Sequence, residues 1–286
     1  MTCSITNLGE CLPEAFFQFV LAILNAPLQA VLDGVQYYLT QPIPIHFFSN
    51  LWGVIIYVIS IFYGLLFLYT GLNFMISGYS ARKREEAKSW LRNTLIMVFL
   101  VQSSFLIYSL IIDVNNVLTT AVFNMIDPNT FLLTWANFID LPTTIVETLI
   151  YLMFVGITEQ ILQIRFIIIT CGVILFPIGI FLYFILPLRN YGRAIINFLM
   201  ICIFSSFFAS LIILTGSLLA PQYLFGGTSF LGMAGIFLCV DLLLSYLLFS
   251  SLFSLFNAKK RVTQAISITT QVASGQPPKE LIPIKK

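Results

Sequence analysis

The stretch LWGVIIYVISIFYGLLFLYTGLNFMIS, residues 51 to 77, contains no charged side chain. About 20 consecutive apolar residues cross the hydrocarbon core of a bilayer as an α-helix, so this stretch is long enough to be a transmembrane helix. The whole chain has the same character, since 59% of its 286 residues are hydrophobic and 9% are charged. Soluble domains contain about 25% charged residues. The composition therefore predicts an all-α, polytopic integral membrane protein.

Further apolar segments are long enough to cross a membrane: residues 91–112, 166–186, 194–220 and 230–256. Residues 13–39 are different, because their apolar side chains recur at helical spacing opposite a polar stripe. That pattern is typical of an amphipathic helix in the membrane interface, either continuous or kinked at Pro27. The apolar run 149–157 is too short to cross. We therefore expect about five transmembrane helices plus interfacial amphipathic helices.

The cationic side chains predict the orientation, because cytoplasmic loops carry an excess of lysine and arginine. The segment 78–93 holds five of the fourteen in the chain, namely Arg82, Lys83, Arg84, Lys88 and Arg92. Two more lie in 188–193 and six follow residue 256, so that only Arg165 lies elsewhere. Five crossings with the N-terminus outside place all but Arg165 in the cytoplasm. A further crossing at 149–157 would instead move the last two groups outside.

This orientation predicts a multi-pass protein of the cell (plasma or inner) membrane with its C-terminus in the cytoplasm. Residues 1–50 would form an external segment with an interfacial helix, 51–257 the transmembrane domain, and 258–286 a basic cytoplasmic tail. Cys3 and Cys11 would both lie outside. An oxidising exterior favours a disulfide between them, and two free thiols are the alternative.

Small and polar residues within the apolar segments predict contacts between helices. Gly64, Gly71 and Gly78 are spaced by seven and lie near one helix face, as do Gly172 and Gly179. Such faces allow close helix approach in membranes.

Gln163, Arg165 and Asp241 are the intramembrane polar candidates. A charge near the bilayer centre costs ~2.5–3.5 kcal/mol on insertion scales, so it normally faces protein or water. Arg165 could extend outward and pair with Glu159 or Asp241. Alternatively, Asp241 is protonated or hydrogen-bonded within the bundle. A functional role for these groups, as a polar lining or a subunit contact, is the alternative to this structural one.

No catalytic pattern is present in the sequence. The chain has one histidine, His46, and lacks the metal-binding, nucleophile and phosphate-binding motifs of common enzymes. We expect a protein that is not an enzyme and uses neither a metal nor another cofactor. A homo-oligomeric channel or transporter for ions or small solutes would need polar groups that converge at the midplane.

The basic segment predicts a helix that begins in the cytoplasm and continues into the membrane. Arg82 and Glu86 are four residues apart, and Trp90 follows where an interfacial aromatic belongs. The cations could anchor the chain on anionic lipid at ~1 kcal/mol each, or dock a cytoplasmic partner.

The sequence ISGYSARKREEAKSWLRN (residues 76–93), followed by LIMVFLVQSSFLIYSLIIDVNNVLTTAVF (residues 95–123), resembles a known hairpin. It is similar to the basic-loop hairpin of the polytopic inner-membrane subunits of type IV secretion and conjugation machines, the TrbL/VirB-six group. Archaeal subunits of Ced-type DNA import and the small TrbC-like pilins look similar. The likeness covers residues 64–120, and its closeness to archaeal members suggests an archaeal source.

This resemblance implies a non-enzymatic scaffold or conduit through which DNA crosses the membrane. It also implies an oligomer with other membrane subunits, energised by a separate cytoplasmic ATPase. The five cations of the hairpin would then face lipid, that ATPase or translocated DNA. Because five cations are a small footprint for DNA, lipid and protein partners are favoured.

Overall fold

The computed structural model describes residues 8–79, 81–133, 141–185, 188–219 and 232–253, and within these ranges the chain is helical without a β-strand. The α-helices are α1 Leu8–Thr40, α2 Ser49–Ile76, α3 Ala81–Gln102, α4 Ser104–Phe123, α5 Leu141–Phe184, α6 Arg189–Leu219 and α7 Gly232–Phe253. Short 3₁₀ turns lie at Ile45–Phe48, Ser77–Tyr79 and Pro128–Phe131.

Six helical segments among the described residues are long and apolar enough to cross a membrane: Gln18–Thr40, Ile45–Ile76, Ser104–Phe123, Thr143–Phe184, Arg189–Leu219 and Gly232–Phe253. The chain is therefore an all-α, multi-pass membrane protein, as the composition predicts. The number of candidate spans is one more than the five expected, and the additional one is α1.

The amphipathic pattern of α1 places its apolar side chains against protein, and not in the membrane interface as expected. Leu28 and Val35 of its apolar stripe are buried in a hydrophobic core, and Leu21, Leu24 and Val31 pack against that core. The polar stripe is exposed, with Gln18, Gln29, Asp33 and Gln36 on the surface. The helix also continues through Pro27. The apolar stripe thus packs onto protein, whereas an interfacial helix would insert it into lipid.

The second expected span, 91–112, is shifted in the structure. α3 begins at Ala81 and α4 ends at Phe123, with a break only at Ser103. The Ser103 N–H still donates to the Phe99 carbonyl, and the Ile107 N–H to the Ser103 carbonyl, both at 3.0 Å. The basic segment is therefore helical and leads almost unbroken into the apolar one. The polar run after Ile112 belongs to a candidate span and not to a loop.

The expected boundary at residue 166 is also wrong, because α5 is one helix of 44 residues. The run 149–157 lies inside it and adds no crossing of its own. At 1.5 Å per residue α5 is about 66 Å long, about twice the ~30 Å thickness of the hydrocarbon core.

The described residues divide into two compact units. Unit 1 draws on the described residues within 8–44, 109–133, 141–170, 202–219 and 232–247, and unit 2 on those within 45–79, 81–108, 171–185, 188–201 and 248–253. The core of unit 1 includes Leu28 of α1, Tyr151 and Leu162 of α5, Ile213 of α6 and Phe237 of α7.

Unit 2 is held by aromatic contacts. The ring centroids of Trp52 and Phe105 are 5.5 Å apart, and those of Tyr108 and Phe176 are 5.2 Å apart. The expected tail, 258–286, lies outside the described residues.

Candidate functional site

Polar side chains lie on the buried face of α5. Tyr151, Val155, Thr158, Leu162, Arg165 and Ile169 are spaced alternately by four and three residues, and all six are buried. This spacing keeps them on one side of a helix. Thr158 and Arg165 are therefore on the inward face, about 10 Å apart along the axis at 1.5 Å per residue.

Arg165 binds the backbone of α6. Its side chain is only 3% exposed. Nε donates to the Cys202 carbonyl at 2.7 Å, and Nη2 donates to the Ile203 carbonyl at 3.0 Å and to Ser206 Oγ at 2.9 Å. Hydrogen bonds from a charged donor are stronger than neutral ones and offset part of the desolvation penalty. The expected outward extension of Arg165 is therefore replaced by an inward contact with α6.

Ser206 connects Arg165 to α4. Asn115 Nδ2 donates to Ser206 Oγ at 2.9 Å, and the Thr119 and Ser206 hydroxyls are 3.3 Å apart. Asn115 Oδ1 is buried and has no hydrogen-bond partner among the described residues. A cavity of about 10 Å³ lies beside these groups. That volume is about the minimum for one water molecule.

Asp241 of α7 is 8% exposed and accepts a hydrogen bond from Thr158 Oγ1 at 2.6 Å on its Oδ1. Its Oδ2 is buried without a hydrogen-bond partner among the described residues. Asp241 is thus hydrogen-bonded within the bundle, which is the expected alternative to a pair with Arg165. Arg165 donates to α6, whereas Asp241 accepts from Thr158 of α5. Gln163 is half-buried on α5, next to its buried face.

The basic hairpin is exposed. The guanidinium of Arg82 is 3.4 Å from the Glu86 carboxylate, as the spacing predicts, although both side chains are largely in solvent. Pairs of this kind contribute little to stability. Lys83, Arg84, Lys88 and Arg92 are exposed on the same helix. Trp90 packs edge-on against Tyr69 at 5.9 Å and holds α3 to α2.

The two sets of glycines differ in their surroundings. A Cβ added at Gly64, Gly71 or Gly78 would meet nothing within 4 Å among the described residues. Close packing at these three positions is therefore not provided by the described part of the chain and stays a prediction for a contact with another chain. Gly172, in contrast, lies against the Tyr108 hydroxyl, and Gly179 against Ile195 and Ile196.

Asn115, Thr119 and Ser206 are polar residues that the sequence analysis missed. Asn115 and Thr119 lie beyond residue 112, where the expected second span ends. A regular spacing of buried residues could have identified Asn115 and Thr119. The buried residues of α3 and α4 recur every three or four positions, at Val101, Ser104, Tyr108, Ile112, Asn115 and Thr119. Ser206 resembles any small residue in an apolar helix until its neighbours are known.

The expected Cys3–Cys11 disulfide stays a prediction, because Cys3 lies outside the described residues. Cys171, Cys202 and Cys239 are free thiols. Across residues 8–79, 81–133, 141–185, 188–219 and 232–253, no group of three or more His, Cys, Asp and Glu side chains is arranged to hold a metal ion.

Three comparisons, with protein-family models, with curated proteins and with solved structures, found no match to this chain.

Proposed function

We propose that this chain is a non-catalytic scaffold or conduit subunit of a membrane complex that transfers DNA, of the type IV secretion class that the hairpin resembles. The observation that carries the proposal is the exposed cationic surface at the start of α3. Of its five cations, Arg82 alone has a salt bridge within the described ranges. The others are available to an external partner.

The chemistry of this surface favours partners rich in phosphate or carboxylate. It directly precedes the apolar part of α3, so it would lie at the membrane surface, where each cation gains ~1 kcal/mol from anionic lipid. An acidic face of a cytoplasmic ATPase or the backbone of passing DNA could bind the same groups. The short length of the surface favours lipid and protein over DNA alone.

The proposed orientation places the cations of α3, of residues 188–193 and of the tail in the cytoplasm of the plasma or inner membrane. The positive-inside rule does not orient α1, because residues 1–81 contain no lysine or arginine. Five crossings leave the N-terminus outside, as expected from the sequence. Six crossings, which the packing of α1 on the unit 1 core supports, place it inside. Labelling of a single cysteine at residue 11 with a membrane-impermeant maleimide in intact cells distinguishes the two.

The partner is tested by purification of the tagged chain from its native membrane in mild detergent, with mass spectrometry of the proteins that accompany it. We expect a secretion-type ATPase or pilin with the wild type, and loss of it when Arg82, Lys83 and Arg84 are all changed to Glu. The matched control is R82K/K83R/R84K, which keeps all three charges and should keep the partner. Normal insertion and normal complex formation in the charge-reversed variant would contradict the role of this surface.

A homo-oligomeric channel or transporter for ions or small solutes is the second candidate. It is favoured by the buried Asp241, whose Oδ2 has no hydrogen-bond partner among the described residues, and by the exposed polar stripe of α1. A pure homo-oligomer with no secretion proteins would support it. Asp241→Asn should then lower ion or solute flux into proteoliposomes, with the exposed Asp113→Asn as the control. Flux that is absent in the wild type, or equal in all three proteins, would exclude this candidate.

A further inference from the structure

A cavity of about 310 Å³ lies within unit 1. It is bounded by α1, by the end of α4 and the turn after it, and by α6 and α7. Ligand sites usually have volumes of about 300–1,000 Å³, so this one would hold a head group with a short apolar body and not a whole lipid. None of the residues that line the cavity belongs to the buried cluster around Arg165.

The walls of the cavity divide into a polar mouth and an apolar floor. Gln29, Asp33 and Gln36 of α1 are exposed at the mouth together with Asn124. The floor includes the buried side chains of Phe131 and Phe237. A ligand that fills this space therefore needs a polar head and an apolar body.

The charge at the mouth is negative. Asp33 is the one ionisable residue among the described residues that line the cavity, and no lysine or arginine lies among them. Asp33 also forms no salt bridge with a cation in the described ranges. An anionic head group would meet this carboxylate without a compensating cation, whereas a cationic head group would supply the missing partner.

Aromatic rings line the apolar part. Phe123, Phe131 and Phe237 all face the cavity. The rings of Phe131 and Phe237 are packed edge-to-face, with centroids 5.6 Å apart. Aromatic faces attract organic ammonium ions, and clusters of them are the usual way in which proteins recognise quaternary ammonium groups. The cavity combines a carboxylate with several aromatic rings, which are the groups that bind an organic ammonium ion.

The wall formed by the turn after α4 is held in place before any ligand binds. Asn25 of α1 donates from Nδ2 to the Leu133 carbonyl at 3.1 Å and accepts from the Leu133 N–H at 2.9 Å. The Tyr151 hydroxyl donates to the Phe131 carbonyl at 3.3 Å. A wall that is already ordered reduces the entropy lost on binding.

We propose that this cavity binds an amphiphilic organic ammonium ion, with the ammonium group beside Asp33 and against the face of a lining phenylalanine ring, and with the apolar body in the rest of the cavity. Phe123 is the last residue of a candidate span, which places the mouth near the level of lipid head groups. The ammonium could therefore belong to a membrane lipid or to a free amine. The inference does not depend on the proposed role in DNA transfer.

The test measures equilibrium binding of radiolabelled phenyltrimethylammonium to the full chain in nanodiscs made only of phosphatidylglycerol. We expect saturable binding by the wild type and about tenfold weaker binding by Asp33→Asn, because the amide keeps the shape and loses the charge. Asp113→Asn, an exposed aspartate outside the cavity lining, is the matched control and should bind as the wild type does. Phe123→Leu, which removes one ring at the rim, should weaken binding by about threefold.

Two further arms identify the source and the chemistry of the ligand. Weaker probe binding in nanodiscs that contain phosphatidylethanolamine would identify a lipid head group as the competitor. Equal binding in both nanodiscs would identify a free amine. The uncharged isostere tert-butylbenzene should not displace the probe. Absence of saturable binding, equal binding by Asp33→Asn, or full displacement by tert-butylbenzene would overturn the proposal.

Discussion

Gly64 and Gly71 of α2 are seven residues apart, as are Gly172 and Gly179 of α5, and all four belong to unit 2. An added Cβ at the α2 positions would meet no atom of the described residues within 4 Å, whereas at Gly179 it would lie 3.1 Å from Ile195 and at Gly172 it would collide with Tyr108 and Leu199. A spacing of seven therefore indicates that residues share a helix face. It does not indicate that the face has a neighbour.

The largest effect is expected at Gly192 of α6. A Cβ there would overlap the backbone of α5, at the Tyr183 nitrogen and the Gly179 carbonyl oxygen. Backbone atoms cannot rotate away, so Gly192→Ala should destabilise the protein by about 3 kcal/mol. The measurement is the thermal unfolding midpoint of the purified protein in detergent. A midpoint equal to that of the wild type would show that α5 and α6 do not approach so closely.

Gly172→Ala should have a smaller effect, about 2 kcal/mol, because the colliding atoms belong to side chains. The nearest is the Tyr108 hydroxyl. In a double-mutant cycle, Tyr108→Phe should restore part of the stability that Gly172→Ala removes. Simple additivity of the two substitutions would contradict the contact.

Gly34 of α1 tests the same distinction in unit 1. An added Cβ there would collide with the end of the Glu159 side chain, which is long and can turn aside. Gly34→Ala should therefore destabilise the protein by about 1 kcal/mol. Addition of Glu159→Ala should remove that loss. A loss that persists in the double variant would assign the strain to another neighbour.

The smallest effect is expected for Gly64→Ala and Gly71→Ala. Neither creates a clash, and alanine has a higher helix propensity than glycine, so stability should stay equal or rise by up to about 1 kcal/mol. Size-exclusion chromatography of the same samples measures assembly. Unchanged unfolding together with a loss of oligomer would identify this face of α2 as a contact with another subunit. Lower stability of the monomer would show that this face of α2 has a close neighbour within the same chain.

The regular parts of the fold follow from apolar length. The expected spans 51–77, 194–220 and 230–256 correspond to α2, α6 and α7 within a few residues. The differences arise where polar residues lie inside helices. The expected spans end before Asp113 and begin after Glu159, whereas α4 and α5 include these residues. Asn115, for example, donates to Ser206 Oγ, and hydropathy does not include such hydrogen bonds.

The candidate site was predictable in composition but not in its contacts. Arg165 and Asp241 are unusual residues for apolar segments, which is enough to select them. Their partners, Ser206 and Thr158, are common residues whose role depends on which helices are adjacent. Tertiary packing decides which helices are adjacent, and the hydropathy pattern of one sequence does not reveal it.

The three hydrogen bonds from Arg165 to α6 restrict how α5 and α6 can move past each other. Packed helices shift past one another by about 1–2 Å or, more drastically, by a whole turn of about 5.4 Å. A slide of one turn along α6 would take the guanidinium away from two carbonyls and the Ser206 hydroxyl at once, and the adjacent cavity of about 10 Å³ has room for about one water molecule in exchange. We therefore expect α5 and α6 to move together at this level of unit 1.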